Sequence, residues 1–343
     1  MREALRYNLS SMSVAQQRDI AGRDEATFRR LLLAWYEKSQ RKLPWRGATD
    51  PYHILVSEIM LQQTRVAVVE ERYRKFIAQF PSAERLARAK GPTVLAAWSG
   101  LGYYRRARAL HGAAKEVVRR GFFPRTTTEL MELPGVGRYT AAAVASIAFD
   151  EPVAVVDGNV KRVIDRIVNH KAADSAPANE KQYWEIAGQL LDRQSPGDFN
   201  QAMMELGALV CLPAQPLCYA CPVADLCGAR GPTEKAGRPA RRKAELHYAL
   251  SRRNGSVLLR QRTKQSSLMP GMWELPEIEA ADNPSKLPML KLRHAITTTD
   301  YTVFVHAGNT KKRTADRWVP LRSVYRLPLT GLTRKIIRGI GNA

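Results

Sequence analysis

The spacing of apolar residues divides the chain into two parts with different predicted secondary structure. From about residue 28 to residue 209, apolar residues recur at intervals of three and four, and short Pro, Gly or Ser segments interrupt them. This spacing predicts many short helices. Beyond residue 243, short β-branched or aromatic segments alternate with turns, and residues 332–340 return to helical spacing. The pattern therefore predicts an all-α part followed by an α+β part.

A basic segment separates the two parts. Residues 229–243 read ARGPTEKAGRPARRK, with two prolines and little apolar content, as is typical of a linker. The chain has 343 residues, which is too long for one ordinary hydrophobic core. We therefore predict an N-terminal tail at residues 1–23, an all-α domain at 24–228, this linker, and an α+β domain at 244–343.

The charge balance favours a polyanionic partner. The chain has 54 Lys and Arg against 32 Asp and Glu, which gives a formal net charge of +22. A generally basic protein is the alternative, but some basic residues are concentrated, such as Arg105, Arg106 and Arg108 beside two tyrosines. We therefore expect the partner to be nucleic acid.

The sequence contains no evident membrane or export signal. No segment approaches the roughly 20 apolar residues of a membrane span, and the first twenty residues lack the apolar core of a secretory signal. We expect a soluble monomer without a membrane partner. Its location would be the cytoplasm in a bacterium, or the nucleus or mitochondrion in a eukaryote.

The four cysteines of the chain lie close together in sequence. Cys211, Cys218, Cys221 and Cys227 follow the spacing C-x6-C-x2-C-x5-C within seventeen residues. Thiolates this close can converge on one soft metal ion or cluster, whereas disulfides between them would close small, strained rings. Zinc sites with four thiolates usually have two separated CxxC pairs, and this segment has only one. We therefore expect an iron–sulfur cluster, with zinc as the alternative.

A glycine-rich turn joins two predicted helices in the middle of the all-α part. Residues 126–133 form a short helix opened by a capping box of Thr126 and Glu129, and LPGVGRYTAAAVASIAF follows. Gly135 is expected to end the first helix, and Gly137 is expected to supply the left-handed backbone of the turn. The free amides at the start of the second helix could bind a DNA phosphate. A helix-hairpin-helix is therefore predicted, with a simple helical corner as the alternative.

Two acidic residues are candidates for acid or electrostatic catalysis. Glu58 lies in the apolar helical segment PYHILVSEIMLQQ, where burial would raise its pKa and favour its role as a proton donor. The alternative is an exposed glutamate, or one paired with Arg65 or Arg72. Asp157 lies in VVDGNVKRVIDR and is expected to cap the following helix. Because the lone pairs differ, the same carboxylate could also face a developing positive charge.

The LPGVGR hairpin, the DGNVKR segment and the cysteine loop, in this order, resemble the helix-hairpin-helix DNA glycosylase superfamily. The resemblance implies a [4Fe-4S] cluster on the four cysteines and places Asp157 at the signature aspartate of the superfamily. The endonuclease III branch has a lysine that forms a Schiff base with the sugar at the position of Tyr139. Without that amine, the resemblance implies a monofunctional hydrolase and no lyase.

The segment SEIMLQQTRV is similar to the one that carries the catalytic acid in the adenine DNA glycosylase branch. The resemblance implies that Glu58 protonates N7 of a flipped adenine, that Asp157 stabilises the cationic sugar, and that water completes hydrolysis. Tyr139 and Asn159 would orient these groups. The substrate would be double-stranded DNA with adenine opposite 8-oxoguanine or guanine. The same likeness implies an adenine pocket at Trp45, Arg46 and Gln201, and DNA contacts at Gln63, Leu101, Tyr103, Gly135 and Gly137.

The α+β part resembles the C-terminal domain of adenine DNA glycosylases, which has a Nudix-like fold and reads 8-oxoguanine. The likeness is carried by MPGMWELP and by the closing segment LTGLTRKII, while the REUxEExGU box of Nudix hydrolases is missing. Residues 294–298 read HAITT in place of the family's H-x-F-S-H, so that Thr297 is the candidate for the 8-oxoguanine contact. Two alternatives stay open: an endonuclease III-like pyrimidine glycosylase with lyase activity, and a catalytically silent DNA-binding protein that carries the cluster.

Overall fold

The fold is taken from a computed structural model. It describes residues 25–168, 178–232, 240–279, 287–296, 298–308, 310 and 313–341. The helices of these ranges are α1 (Glu25–Ser39), α2 (Pro51–Leu61), α3 (Val66–Gln79), α4 (Ala83–Ala87), α5 (Gly91–Ala97), α6 (Arg105–Arg120), α7 (Thr127–Met131), α8 (Arg138–Phe149), α9 (Gly158–Val168), α10 (Glu180–Leu190), α11 (Pro196–Leu209) and α12 (Gly331–Gly341). The predicted tail at 1–23 lies outside the described residues.

The strands all lie in the C-terminal part of the described chain. They are β1 (Arg242–Leu250), β2 (Arg252–Arg253), β3 (Ser256–Gln261), β4 (Trp273–Glu274), β5 (Glu277–Ile278), β6 (Leu290–Ile296), β7 (Thr299–Ala307) and β8 (Asp316–Pro320). The prediction of a helical part followed by an α+β part is therefore confirmed. None of the described helices has both the length and the apolar character that crossing a bilayer requires.

The chain divides into two compact units. One is formed by Met1–Glu58, Pro124–Glu132 and Val136–Ala236, and the other by Ile59–Phe123, Leu133–Gly135 and Gly237–Ala343. This grouping differs from the predicted domains, because residues 59–123 group with the C-terminal part. Of the predicted linker at 229–243, the last two residues already belong to β1. The linker and the domain boundaries stay predictions.

The core of the first unit lies among α1, α8, α9, α10 and α11. The alanines of α8 leave room for close packing, and Gly197 of α11 lies against it so closely that an added Cβ would stand 2.7 Å from the Ser146 carbonyl oxygen. Asn200 is 2% exposed and donates to Ser146 Oγ and the Val153 carbonyl, while its own oxygen accepts from the Val155 amide. These bonds fix the extended segment that leads into α9.

The hairpin between α7 and α8 has the predicted capping box. The Thr126 side chain accepts from the Glu129 amide, and the Glu129 side chain accepts from the Thr126 amide. The prediction for Gly137 is wrong: Gly137 has φ −92° and is the N-cap of α8, while Gly135 has φ +75°. A Cβ at Gly135 would lie 2.3 Å from the Ala109 Cβ. Position 135 therefore needs glycine both for its left-handed backbone and for lack of space.

The C-terminal part of the second unit has two sheets and one long helix. One sheet has the order β5-β1-β7-β6, with β1 and β7 parallel, and the other has the order β2-β3-β4 with β8 paired to β3. Buried residues of both sheets form a core with the apolar face of α12, to which Leu332, Ile336 and Ile340 contribute. This arrangement confirms the α+β prediction for the domain.

Candidate active site

Glu58 is a buried carboxyl group in an almost wholly apolar helix. It lies on α2, is 5% exposed, and has the fully buried neighbours Leu55 and Ile59. The alternative that Glu58 is an exposed glutamate is therefore wrong. Burial raises the pKa of Glu58 above its ordinary value, and the negative charge of Asp157 acts in the same direction. A hydrogen bond and the Arg46 charge oppose this increase.

The hydrogen bond to Glu58 comes from Tyr139, the second residue of α8. Its hydroxyl donates to Glu58 Oε2 at 2.7 Å and lies 3.4 Å from Met204 Sδ. Burial raises the pKa of Tyr139 well above the ordinary value, and the charges of Glu58 and Asp157 add to this effect. The hydroxyl therefore keeps its proton and acts as a donor. Glu58, Tyr139 and Asp157 form one electrostatically coupled group.

Asp157 caps helix α9, as predicted. Its Oδ1 accepts from the backbone amides of Val160 at 2.7 Å and Asn159 at 2.9 Å, and its Oδ2 accepts from Asn159 Nδ2 at 2.9 Å. These contacts fix the orientation of the carboxylate, because both oxygens are held by groups on the same rigid helix. Asn159 thus orients Asp157, in agreement with the predicted arrangement.

Arg162 connects this aspartate motif to the cysteine loop. Its Nη2 donates to Asn159 Oδ1 at 2.9 Å and to the Gly207 carbonyl at 2.6 Å, and its Nε donates to the Cys211 carbonyl at 2.7 Å. Gly207 packs directly on Asn159, since an added Cβ would lie 2.6 Å from the Asn159 Cβ. The orientation of Asn159 therefore depends on α11 and on the start of the cysteine loop.

A second polar network surrounds Arg46. Its Nη1 donates to Gln201 Oε1 at 2.5 Å and also to the Tyr36 hydroxyl, and its Nη2 donates to Glu205 Oε2 at 3.0 Å. Arg41 binds both oxygens of Glu205 at 2.7 Å. Burial opposes ionisation of Glu205, but the hydrogen bonds from Arg41 and the Arg46 charge hold its pKa below the ordinary value.

The structure thus brings together two of the three residues predicted to form an adenine pocket. Arg46 and Gln201 are in direct contact, Arg46 influences Glu58 electrostatically, and the neighbouring Trp45 is 7% exposed. Sequence reasoning missed the participation of Tyr36, Arg41 and Glu205. The available signal was weak: Glu205 stands among the apolar residues of MMELGAL, much as Glu58 does in its own helix.

Four of the five predicted DNA contacts lie in the second unit, namely Gln63, Leu101, Tyr103 and Gly135. Gln63 and Tyr103 are exposed non-glycine residues with positive φ, 54° and 44°. Leu101 is 5% exposed and belongs to the buried core, unlike Gln63 and Tyr103. Thr297, the predicted 8-oxoguanine contact, lies outside the described residues.

The four cysteines are free thiols of intermediate exposure. Burial raises the pKa of Cys221 to about 11, and the charges of the other three cysteines act in the same direction, so the four thiols lie within electrostatic reach of one another. Arg166 Nη1 lies 3.2 Å from Cys211 Sγ and the Gly231 amide lies 3.5 Å from Cys218 Sγ, as donors to sulfur. In the described ranges, no group of three or more His, Cys, Asp or Glu has the geometry to hold a metal ion. The all-sulfur donor set suits an iron–sulfur cluster or zinc.

Comparison with known proteins shows similarity to DNA repair proteins. The family profile "HhH-GPD superfamily base excision DNA repair protein" matches residues 56–189. The adenine DNA glycosylase of Rattus norvegicus is 48% identical over 222 residues, which cover 62% of this chain and 43% of the rat protein. That of Mycobacterium tuberculosis H37Rv is 42% identical over 218 residues, which cover 62% of this chain and 71% of the relative. The chain spans about half the length of several of its curated relatives.

A solved structure supports the same relationship. A thermostable thymine-DNA glycosylase is 32% identical with a TM-score of 0.56, and the match covers 61% of this chain and 97% of that protein. The residues matched by the family profile, 56–189, include the hairpin and both candidate carboxylates. With 42% identity to a relative of which 71% is covered, the chain belongs to the adenine DNA glycosylase family of the helix-hairpin-helix superfamily.

Proposed function

We propose that the protein is a monofunctional DNA glycosylase that releases adenine mispaired with 8-oxoguanine or guanine in double-stranded DNA. The observation that carries the proposal is the buried Glu58 carboxyl group, held by Tyr139 and coupled to the charge of Asp157. Two carboxyl groups with different environments, one desolvated and one bound by helix amides, are suited to opposite roles in breaking one glycosidic bond.

The proposed chemistry assigns the acid role to Glu58. Adenine is a poor leaving group as an anion, so a proton must be transferred to its N7 as the bond breaks. Glu58 supplies this proton, because its raised pKa retains the protonated form closer to neutral pH. The Asp157 carboxylate stabilises the oxocarbenium-like sugar. Its capping bonds leave lone pairs free for this interaction, and water then adds to the sugar.

Tyr139 supports hydrolysis without strand cleavage. A lyase reaction through this position would need an amine that forms an imine with the sugar. The Tyr139 hydroxyl cannot form an imine, and it is already hydrogen-bonded to Glu58. We therefore infer that the enzyme leaves an abasic site and does not nick the strand.

We propose that residues near Glu58, two exposed loop residues and the hairpin bind the DNA substrate. Trp45, Arg46 and Gln201 bind the flipped adenine, since Arg46 is fixed by Glu205 in an orientation that also reaches Glu58 electrostatically. Gln63 and Tyr103 enter the duplex, which offsets part of the unstacking cost of a few kcal/mol. Amides of the hairpin around Gly135 and Gly137 bind a phosphate, and the net charge of +22 favours association with DNA.

We further propose a [4Fe-4S] cluster on Cys211, Cys218, Cys221 and Cys227. The cluster would add an anionic centre and cross-link the loop that carries the four cysteines. The donors from Arg166 and Gly231 to two of the sulfurs suit such a centre. The C-terminal α+β domain would be the Nudix-like module that recognises 8-oxoguanine, with Thr297 as the candidate contact. The enzyme would act where the genome is, in the bacterial cytoplasm or in the nucleus or mitochondrion.

The test is base release under single-turnover conditions from duplexes with adenine opposite 8-oxoguanine, guanine or cytosine. The proposal predicts free adenine from the first two, an intact strand until alkali is added, and no adduct after borohydride treatment. Adduct formation would favour the endonuclease III-like alternative, and no release from any duplex would favour the silent DNA-binding protein. Iron analysis of the same sample tests the cofactor, since a colourless protein with one zinc per chain would contradict the cluster.

A further inference from the structure

Two loops of the second unit hold an exposed residue in an unusual backbone conformation. Gln63, between α2 and α3, has φ 54°, and Tyr103, between α5 and α6, has φ 44°. Among the described residues, five non-glycine residues have positive φ, and these are two of them. Such conformations are uncommon for residues with a side chain and tend to occur at functional sites, where surrounding contacts must hold them. The contacts that hold both loops converge on one side chain.

That side chain is Arg106, in the first turn of α6. Its Nη1 donates to the carbonyl oxygens of Ile59 at 2.8 Å and Met60 at 3.1 Å, in the last turn of α2, and to that of Gln62. Its Nη2 donates to Thr64 Oγ1 at 3.1 Å. The guanidinium therefore binds the residues on both sides of Gln63.

The same guanidinium holds the second loop. Nη2 also lies 3.0 Å from the Leu101 carbonyl and 3.4 Å from the Gly102 carbonyl, as a donor to both. Trp98 Nε1 donates to the Gly102 carbonyl at 3.1 Å. The guanidinium carbon lies 5.4 Å from the centre of the Tyr103 ring, a cation–π distance. Tyr103 is thus held through its preceding carbonyls and through its ring.

Arg106 is placed for this purpose rather than for solubility. It is 7% exposed, and it contacts carbonyl oxygens, one hydroxyl and two aromatic rings rather than a carboxylate. Burial lowers its pKa to about 10, so the guanidinium is still charged at neutral pH. Its positive charge faces the negative end of the α2 dipole. Burial of a cation is costly, and here the hydrogen bonds to the carbonyl oxygens of the two loops offset that cost.

We propose that Arg106 is a positioning residue for extrusion of the target base. One rigid guanidinium binds the Gln63 loop and the Tyr103 loop. It therefore presents the two side chains that we propose enter the duplex, Gln63 and Tyr103, in a fixed relative position. This inference rests on the proposed glycosylase function, because extrusion matters only if a base is removed from the stack. Arg106 itself makes no contact with the base in this account.

Lysine cannot take over this role. Arginine has donors on two separate terminal nitrogens in one plane, and here each nitrogen serves a different set of carbonyls. A lysine at position 106 would keep the charge but offer donors from one point. Arg106→Lys is therefore the informative variant, and Arg119→Met, which removes an exposed charge from the last turn of the same helix, is the matched surface control.

The test compares two duplexes under single-turnover conditions, after thermal unfolding has shown that the variants are folded. In one duplex the adenine is mispaired with 8-oxoguanine, and in the other it faces an abasic site, so that less pairing opposes extrusion. We expect Arg106→Lys to slow release from the mispair about 10- to 100-fold, the scale of a displaced positioning group. The slowing on the abasic duplex should be at least tenfold smaller, and Arg119→Met should match the wild type on both.

A second measurement detects extrusion of the target base separately from cleavage of the glycosidic bond. With 2-aminopurine in place of the target adenine, wild-type binding should raise fluorescence, and Arg106→Lys should bind the DNA with a smaller rise. Equal slowing on both duplexes would overturn the inference, because it would indicate a general structural effect or one passed along α2 to Glu58. Unchanged release would overturn it as well. Absence of adenine release from the wild type would instead refute the proposed function, which distinguishes the two failures.

Discussion

Replacing Tyr139 by phenylalanine tests whether the hydrogen bond to Glu58 sets the protonation of the acid. The substitution removes only the hydroxyl that donates to Glu58 Oε2 at 2.7 Å and leaves the ring in place. This bond stabilises the charged carboxylate, in opposition to burial. Its loss therefore raises the pKa of Glu58 further.

The size of the effect follows from the type of bond. A hydrogen bond to a charged group contributes about 1.5–3 kcal/mol, which corresponds to a factor of about 10 to 150 in the ratio of charged to protonated Glu58. Since the proposed acid role needs the protonated form of Glu58, adenine release should be fully present below the pKa of Glu58 and be lost as the pH rises through it. In Tyr139→Phe this loss should therefore occur at higher pH, even though the plateau rate falls because Glu58 is less well oriented.

The assay is the single-turnover rate of adenine release as a function of pH, for the wild type and two variants. Tyr183→Phe is the control, because the Tyr183 hydroxyl donates to Asp165 Oδ1 at the same 2.7 Å, but this hydrogen bond joins α10 to α9 and does not involve Glu58. It should leave the pH profile unchanged. A basic limb of Tyr139→Phe that stays in place or moves to lower pH would refute the reasoning.

Two further substitutions test the supports of the site. Glu205→Gln should destabilise the fold by about 3 kcal/mol because Arg41 loses its buried partner. Because the pKa of Glu205 is lowered in the folded protein, the stability that this carboxylate contributes is present above the ordinary carboxyl range and is lost as the pH falls. Denaturant unfolding curves of wild type and variant should therefore converge at low pH, and a constant difference between them would contradict this. Gly207→Ala should destabilise the fold by about 1–3 kcal/mol, measured by thermal unfolding, and slow adenine release, because the new Cβ pushes Asn159 away from Asp157. Gly188→Ala is the control, since no heavy atom lies within 4 Å of its new Cβ, and it should change neither the stability nor the release rate.

The features that the sequence predicted correctly depend on local pattern. The cap at Asp157 and the capping box at Thr126 need only a few neighbouring residues, and both are observed. The apolar residues around Glu58 indicated its burial but left an exposed glutamate open as an alternative, and the family resemblance decided between the two. The family resemblance then supplied the roles, because spacing alone does not distinguish a catalytic carboxyl group from a structural one.

The features that were missed depend on contacts between distant parts of the chain. Arg41 and Glu205 are far apart in sequence, so no local pattern pairs them. The choice between Gly135 and Gly137 for the left-handed turn was decided by the approach of Ala109, which no turn rule contains. Arg106 read as one basic residue in a charged run, although tertiary packing buries it between two loops.

The most direct test of the account is adenine release by Glu58→Gln. The amide keeps an oxygen that can accept from Tyr139, so the fold and the affinity for an A:8-oxoguanine duplex should be retained while the proton donor is lost. General acid catalysis typically contributes about 10²- to 10⁴-fold, and single-turnover release should fall by this factor. Release close to the wild-type rate with intact DNA binding would contradict the account.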